Sequence, residues 1–202
     1  MGAEKKMKLL CYGDSNTYGY DPRTWSSGRL PYEKRWTGIL DADPRFEVVN
    51  EGLNGRCFPR GRAAIASLKR ILSDNEEADL VVVMLGTNDL FRITPVSGEI
   101  VAYQARVMFE DVPELLEKKV LLICPPKPNI QTGGYEEVCA AADELPAALA
   151  AVAGEFSVDF LDAGSWGCGL YLNDVHLNEE GHARFAKELS AYLALENELP
   201  PR

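Results

Sequence analysis

The chain is poor in the residues and motifs that mark most catalytic and binding sites. Among 202 residues there are only two histidines, His176 and His182. The five cysteines, Cys11, Cys57, Cys124, Cys139 and Cys168, form no CxxC pair. Their odd number argues against a closed disulfide framework and fits reduced thiols in a cytoplasmic protein. Neither GxGxxG nor a GxxxxGK phosphate loop occurs, and the GxSxG nucleophile elbow is missing too. No run of about 18 apolar residues exists, so no membrane-spanning helix is expected. The basic start Met1–Lys8 is followed only by Leu9-Leu10-Cys11-Tyr12 before Gly13, too short for a signal-peptide core. Lys and Arg number 21 against 31 Asp and Glu, a net charge of −10. That balance disfavours non-specific binding to nucleic acid or to an anionic membrane. No repeat, low-complexity block or linker is visible, and the length suits one domain over 1–202.

What is present is an alternation of apolar runs and helical patterns. Leu9–Tyr12, Phe46–Val49, Leu80–Leu85, Val120–Ile123 and Val158–Leu161 read as strands. Leu80–Leu85 and Val120–Ile123 are apolar without alternation, as in parallel strands covered on both faces. Helical patterns fill the gaps: Arg62–Ser73, Glu99–Lys119 with a break or bend at Pro113, and Glu136–Phe156 with an interruption at Pro146. The last helix is the best marked. Asn178 can cap it, Glu179 and Glu180 suit its first turn, and Phe185, Ala186, Leu189 and Leu193 form its apolar stripe. The pattern predicts an α/β fold with a parallel sheet.

Ligands of open α/β sheets bind beyond the carboxyl ends of the strands. The unusual residues stand there. Gly13-Asp14-Ser15-Asn16-Thr17 follows the first run and Asn50–Arg56 the second. Gly86-Thr87-Asn88-Asp89 follows the third, and Asn173-Asp174-Val175-His176-Leu177 comes after the fifth. A hydroxyl, a glycine backbone, a carboxamide and an Asp-x-His pair are the parts of serine-based acyl transfer. His182 lies on the apolar stripe of the last helix and reads as packing, which leaves His176 as the base. Asp174, two residues earlier in an extended segment, points the same way and can hold Nδ1. Asp14, Asp89 and Asp162 are rival acids that read better as loop hydrogen-bonders, and Cys57 reads as a small buried thiol. A metal site on Asp174 and His176 lacks a third ligand at a suitable spacing. Alone, Gly13-Asp14-Ser15 would pass for a turn, Gly55 for a φ > 0 position and Asn88 for a turn residue. Together they also supply a nucleophile and two oxyanion donors.

These four blocks, in this order, resemble those of the SGNH (GDSL-like) hydrolases. Arg35–Leu40, Glu51-Gly52-Leu53 and Met84–Asp89 look closest to the bacterial arylesterase and acyltransferase branch. The resemblance implies a flavodoxin-like, three-layer α/β/α fold with a central five-stranded parallel sheet. It implies Ser15 as nucleophile, His176 as base and then acid, and Asp174 as its orienting acid. The Ser15 and Gly55 N–H groups and the Asn88 side chain would form the oxyanion hole. It further implies a small-molecule ester substrate, no metal or cofactor, and acyl transfer and homo-oligomers in the branch. Asn16 replaces the leucine of the family name, and Tyr18 stands where the branch has Trp. Both are expected to flank the acyl pocket, where the Asn16 amide would favour acetyl over octanoyl esters. The expectation is a serine esterase for short acyl esters. A deacetylase of acetylated carbohydrates is the enzymatic alternative, and a flavodoxin-like binding module for a flavin or nucleotide the non-enzymatic one.

Overall fold

The computed structural model describes residues 5–24, 28–172 and 174–198, with the side chains of 196–198 excepted. The loop residue Asn173 and the start Met1–Glu4 thus lie outside the described residues. Five strands form one sheet: β1 (Met7–Gly13), β2 (Phe46–Gly52), β3 (Leu80–Met84), β4 (Val120–Cys124) and β5 (Asp159–Asp162). Their order is β2-β1-β3-β4-β5 and every pairing is parallel. The expected α/β architecture with a five-stranded parallel sheet is therefore observed.

Alternation along each strand sorts side chains to two cores. Leu10, Tyr12, Val81, Val83, Val120 and Leu122 face one side. There they meet α3 (Gly61–Ser73), α5 (Gly98–Asp111) and α6 (Glu136–Phe156) through Leu68, Phe109 and Leu149. Leu9, Cys11, Val82, Met84, Leu121 and Ile123 face the other side. That core is closed by α2 (Trp36–Asp41) and α7 (Glu179–Glu198) through Trp36, Leu40, Phe185 and Leu189. Phe185 is fully buried, with its ring centroid 4.8 Å from Trp36 and 4.9 Å from Trp166. Burial of such a ring contributes about 1.5–3 kcal/mol. Two covered faces explain why β3 and β4 read as unbroken apolar runs.

The proline expectations divide. At Pro113 the helix does end, and a single 3₁₀ turn, Pro113–Glu117, follows α5. At Pro146 the expected interruption is absent, because α6 runs continuously from Glu136 to Phe156. Proline there removes one N–H donor. The helix tolerates the loss because Ala141, Leu145, Ala148, Leu149 and Val152 form one buried stripe through it, packed along α5. Two further short helices, α1 (Ser15–Tyr18) and α4 (Thr87–Arg92), begin where β1 and β3 end. Gly13 pairs with both Gly52 and Met84, so the ends of β2, β1 and β3 form one rim. Chain direction across the sheet reverses between β1 and β3, the switch point where such sheets open a crevice.

Candidate active site

Ser15 is the first residue of α1, and its N–H is one of the unpaired donors of a helix start. Asp14 caps the helix, its Oδ1 accepting from the Asn16 N–H at 2.9 Å. The turn is tight: a Cβ on Gly13 would lie 2.1 Å from Thr17 Oγ1 and 2.9 Å from the Met84 carbonyl. Ser15 Oγ is 3.0 Å from His176 Nε2, and His176 Nδ1 is 2.6 Å from Asp174 Oδ1. The same carboxylate oxygen accepts the Val175 N–H at 2.6 Å and the His176 N–H at 3.3 Å. With Nδ1–H directed at Asp174, Nε2 is left to accept from the serine hydroxyl. Three residues separated by as many as 161 positions in the chain thus form one hydrogen-bonded row.

Gly55 and Asn88 stand on the neighbouring loops. Gly55 has φ +75°, and a Cβ there would lie 2.9 Å from Arg92 Nη2, so glycine suits both the backbone and the space. Arg92 Nη1 donates to the Gly55 carbonyl at 2.9 Å, which leaves the loop's shape under control of α4. Asn88 Nδ2 donates to the Arg56 carbonyl at 3.1 Å and lies 3.4 Å from Asp14 Oδ2. Arg56 Nη1 in turn donates to the Gly13 carbonyl at 2.9 Å and to the Glu51 carbonyl. Behind these loops lie two buried carboxyls. Burial pushes Asp14 up to about 7, against the Asn16 N–H bond, with the nearby Asp89 adding to the rise. Burial likewise raises Asp89 to about 6, against the Phe58 N–H bond at 3.1 Å.

The rival acids have other partners. Asp14 and Asp89 hold the loops just described, and Asp162 Oδ1 accepts the Gly164 N–H at 2.8 Å. Among the described residues no cluster of three His, Cys, Asp or Glu side chains could hold a metal ion. Cys57 is half-buried and its thiol is pushed up by burial. His182 is fully buried in α7.

Asn16 and Tyr18, the two residues expected to flank the acyl pocket, have these surroundings. Asn16 is only 2% exposed, and its amide turns to the backbone of the histidine loop instead of an acyl pocket. Its Nδ2 donates to the Val175 carbonyl at 2.9 Å, and its Oδ1 accepts the Leu177 N–H at 2.8 Å. A half-buried Tyr18 lies under the Arg29 guanidinium, 4.2 Å from the ring centroid. The ring that does lie against His176 is Tyr20, centroids 4.7 Å apart, a contact no motif announced. Gly19, left-handed at φ +84° between Tyr18 and Tyr20, was the available signal that the chain turns back there. Equally unannounced is a recess of about 340 Å³ beside the Gly55 loop, lined among others by Arg56, Cys57, Arg60, Ser67 and Arg92.

A hydroxyl, an imidazole and a carboxylate in this order can move a proton off the hydroxyl and make its oxygen nucleophilic. The family model described as GDSL-like Lipase/Acylhydrolase matches residues 11–184. No curated protein matches the sequence significantly. Solved structures do. The aryl esterase of M. smegmatis superposes with TM-score 0.79 at 26% identity, covering 94% of this chain and 99% of that one. Est24, a carbohydrate acetylesterase from Sinorhizobium meliloti, gives 0.76 at 25%, covering 94% and 99%. A carbohydrate acetylesterase family member from the same organism gives 0.78 at 26%, covering 96% and 100%. Among the described residues no helix is long and apolar enough to cross a membrane.

Proposed function

The chain belongs to the GDSL-like lipase/acylhydrolase family and is an esterase-type hydrolase, and on that premise we propose that it cleaves short acyl esters through an acyl-enzyme on Ser15. The observation that carries this reading is the row Ser15 Oγ–His176 Nε2–Asp174 Oδ1, with links of 3.0 and 2.6 Å. Ser15 Oγ attacks the ester carbonyl carbon while His176 Nε2 takes its proton. Asp174 stabilises the imidazolium and keeps Nδ1 protonated. The carbonyl oxygen becomes an oxyanion, received by the Ser15 and Gly55 N–H groups and by Asn88. The long 3.4 Å contact of Asn88 Nδ2 with Asp14 is the one the oxyanion displaces, while the bond to Arg56 keeps the amide in place. His176 then protonates the leaving alkoxide, and the alcohol departs. Water repeats the attack, giving its proton to His176, and the carboxylic acid leaves as Ser15 recovers its hydrogen. An alcohol in place of water gives acyl transfer.

A second reading, deacetylation of carbohydrates, is favoured by one observation. The recess beside the Gly55 loop has Arg56, Arg60, Ser67 and Arg92 among its lining residues, a polar set that suits a polyhydroxylated leaving group. The similar structures of carbohydrate acetylesterases from Sinorhizobium meliloti agree with it. Family membership sets aside the binding-module alternative. We further take 1–202 as one SGNH-hydrolase-like domain working in the cytoplasm, which the five free thiols support. Homo-oligomers, which the family resemblance implies, are tested by sedimentation equilibrium. The deciding experiment is release of p-nitrophenol from its acetate, run beside acetylated sugars. Turnover should vanish in Ser15→Ala while the circular dichroism stays unchanged. A folded Ser15→Ala protein with near-normal turnover would overturn the proposal.

A further inference from the structure

The residue that breaks the family's Gly-Asp-Ser-Leu pattern has a specific partner. Asn16 follows the nucleophile directly, and its amide reaches 159 residues along the chain to Val175 and 161 to Leu177. These are the two neighbours of His176. In an extended segment the carbonyl of residue i and the N–H of residue i+2 point to the same side. A carboxamide carries a donor and an acceptor side by side, so it can pair with that edge as a short strand would. Asn16 does so at 2.9 and 2.8 Å. The opposite edge is already held, since the His176 carbonyl accepts from Tyr171 N and Asn178 N donates to the Gly169 carbonyl, each at 3.0 Å. The Asp174 carbonyl accepts from Asn129 N, also at 3.0 Å.

The clamp itself is rigid. Asn16 N is fixed to Asp14 Oδ1 at 2.9 Å, and the Asn16 carbonyl accepts the Trp36 indole N–H at 3.0 Å. Trp36 is fully buried. One side chain therefore joins the nucleophile's own short helix to the backbone on both sides of the base. A leucine at this position offers neither hydrogen bond, and the N–H of the fully buried Leu177 would lose its partner.

We propose that Asn16 is a positioning residue that sets the Ser15–His176 distance by bracketing His176 through Val175 and Leu177. The proposal rests on the Ser15 esterase reading. It replaces a pocket-facing role for Asn16 with one that acts through the base. Displacing a catalytic group by about 1 Å can cost about 10²-fold in rate, so loss of the clamp should lower kcat about 10- to 100-fold. KM and the preference among acyl chain lengths should hold, because the amide does not touch the acyl group.

Three measurements test it. In the wild-type protein the Leu177 amide should exchange slowly with deuterium; exchange as fast as in an open loop overturns the clamp without any variant. Asn16→Asp keeps the shape and the acceptor for Leu177 but sets an oxygen against the Val175 carbonyl. Asn16→Leu removes both bonds. For both variants kcat and KM are measured on p-nitrophenyl acetate, butyrate and octanoate, beside the melting temperature. A fall in kcat with KM and chain-length ratios within about twofold of wild type supports positioning. Unchanged kcat with a lowered melting temperature assigns Asn16 to stability alone and overturns it. Altered chain-length ratios return Asn16 to the pocket and overturn it as well. If Asn16→Leu does not fold, Asn16→Asp and the exchange measurement decide. A wild type that cleaves no ester defeats the esterase reading, whereas an active wild type matched by its Asn16 variants defeats only the clamp.

Discussion

His176 and His182 lie six residues apart and have opposite surroundings. The His176 side chain is 18% exposed and has a carboxylate on one ring nitrogen and a hydroxyl on the other. His182 is fully buried. Its Nδ1 accepts the Trp36 N–H at 3.3 Å, and its buried Nε2 has no partner among the described residues. Burial, with the positive charges of Arg35 and of a protonated His176 nearby, lowers His182 to about 4. A fully buried ring with one nitrogen tied to a backbone N–H and the other facing no hydroxyl cannot take a proton from a nucleophile, however neutral it stays. The difference lies in what each ring nitrogen meets, and only for His176 does that include Ser15.

The comparison is broken most severely by removing each ring. His176→Ala should lower kcat/KM about 10⁴- to 10⁶-fold while the melting temperature stays near wild type. His182→Ala should do the reverse, keeping kcat within about tenfold and losing about 2–4 kcal/mol on urea unfolding, the cost of a cavity in the core. A His182 variant that is stable but inactive would assign the base wrongly. Asp174 is what gives His176 its orientation, so Asp174→Asn should cost about 10⁴-fold in kcat through loss of the productive tautomer. Equal activity of Asp174→Asn and wild type would remove Asp174 from the row. Asn88→Ala lies outside that row and should cost less, about 10²–10³-fold in kcat with KM little changed. A change confined to KM would mean that Asn88 binds the ground state and the transition state alike.

Much of this was legible because the sheet's periodicity and its loop residues are local signals. Runs such as Leu80–Leu85 and Val120–Ile123 lie within a residue or two of β3 and β4. The order of loops after them placed Ser15, Asn88 and His176 at one rim. What was not legible depends on long-range fit. Pro146 reads as an interruption, yet a buried stripe carries α6 through it. α2 and α4 are six residues each, too short to show a helical period. Asn16 is the instructive case, since its position beside Ser15 suggested exposure. Nothing near it in the chain reveals that Val175 and Leu177 present a matching backbone edge. The recess lined by Arg56, Arg60 and Arg92 is likewise assembled by the fold, from the Gly55 loop, α3 and α4.

The smallest expected effects concern pH, and they separate the buried His182 from the buried Asp14. His182 is lowered from 6.5 to about 4 by burial. The unfolded chain therefore binds a proton that the folded chain refuses, and stability falls as pH drops from about 6.5 toward 4. Between pH 7 and pH 5 this one group should cost on the order of 2 kcal/mol. Asp14 has the opposite sign. Its carboxyl is raised from 3.8 to about 7 by burial, so the folded chain holds a proton that the unfolded chain has lost. Its contribution is full below about 4 and is lost as pH rises through 7. Asp14→Asn keeps an oxygen for the Asn16 N–H but cannot ionise, so it should gain stability over wild type increasingly from pH 5 to pH 8. His182→Phe should instead gain on wild type as pH falls from 7 to 5. Urea unfolding of the three proteins at pH 5, 6, 7 and 8 reads both slopes, and parallel stability curves for wild type and His182→Phe would show that His182 titrates normally and is not held neutral by its burial.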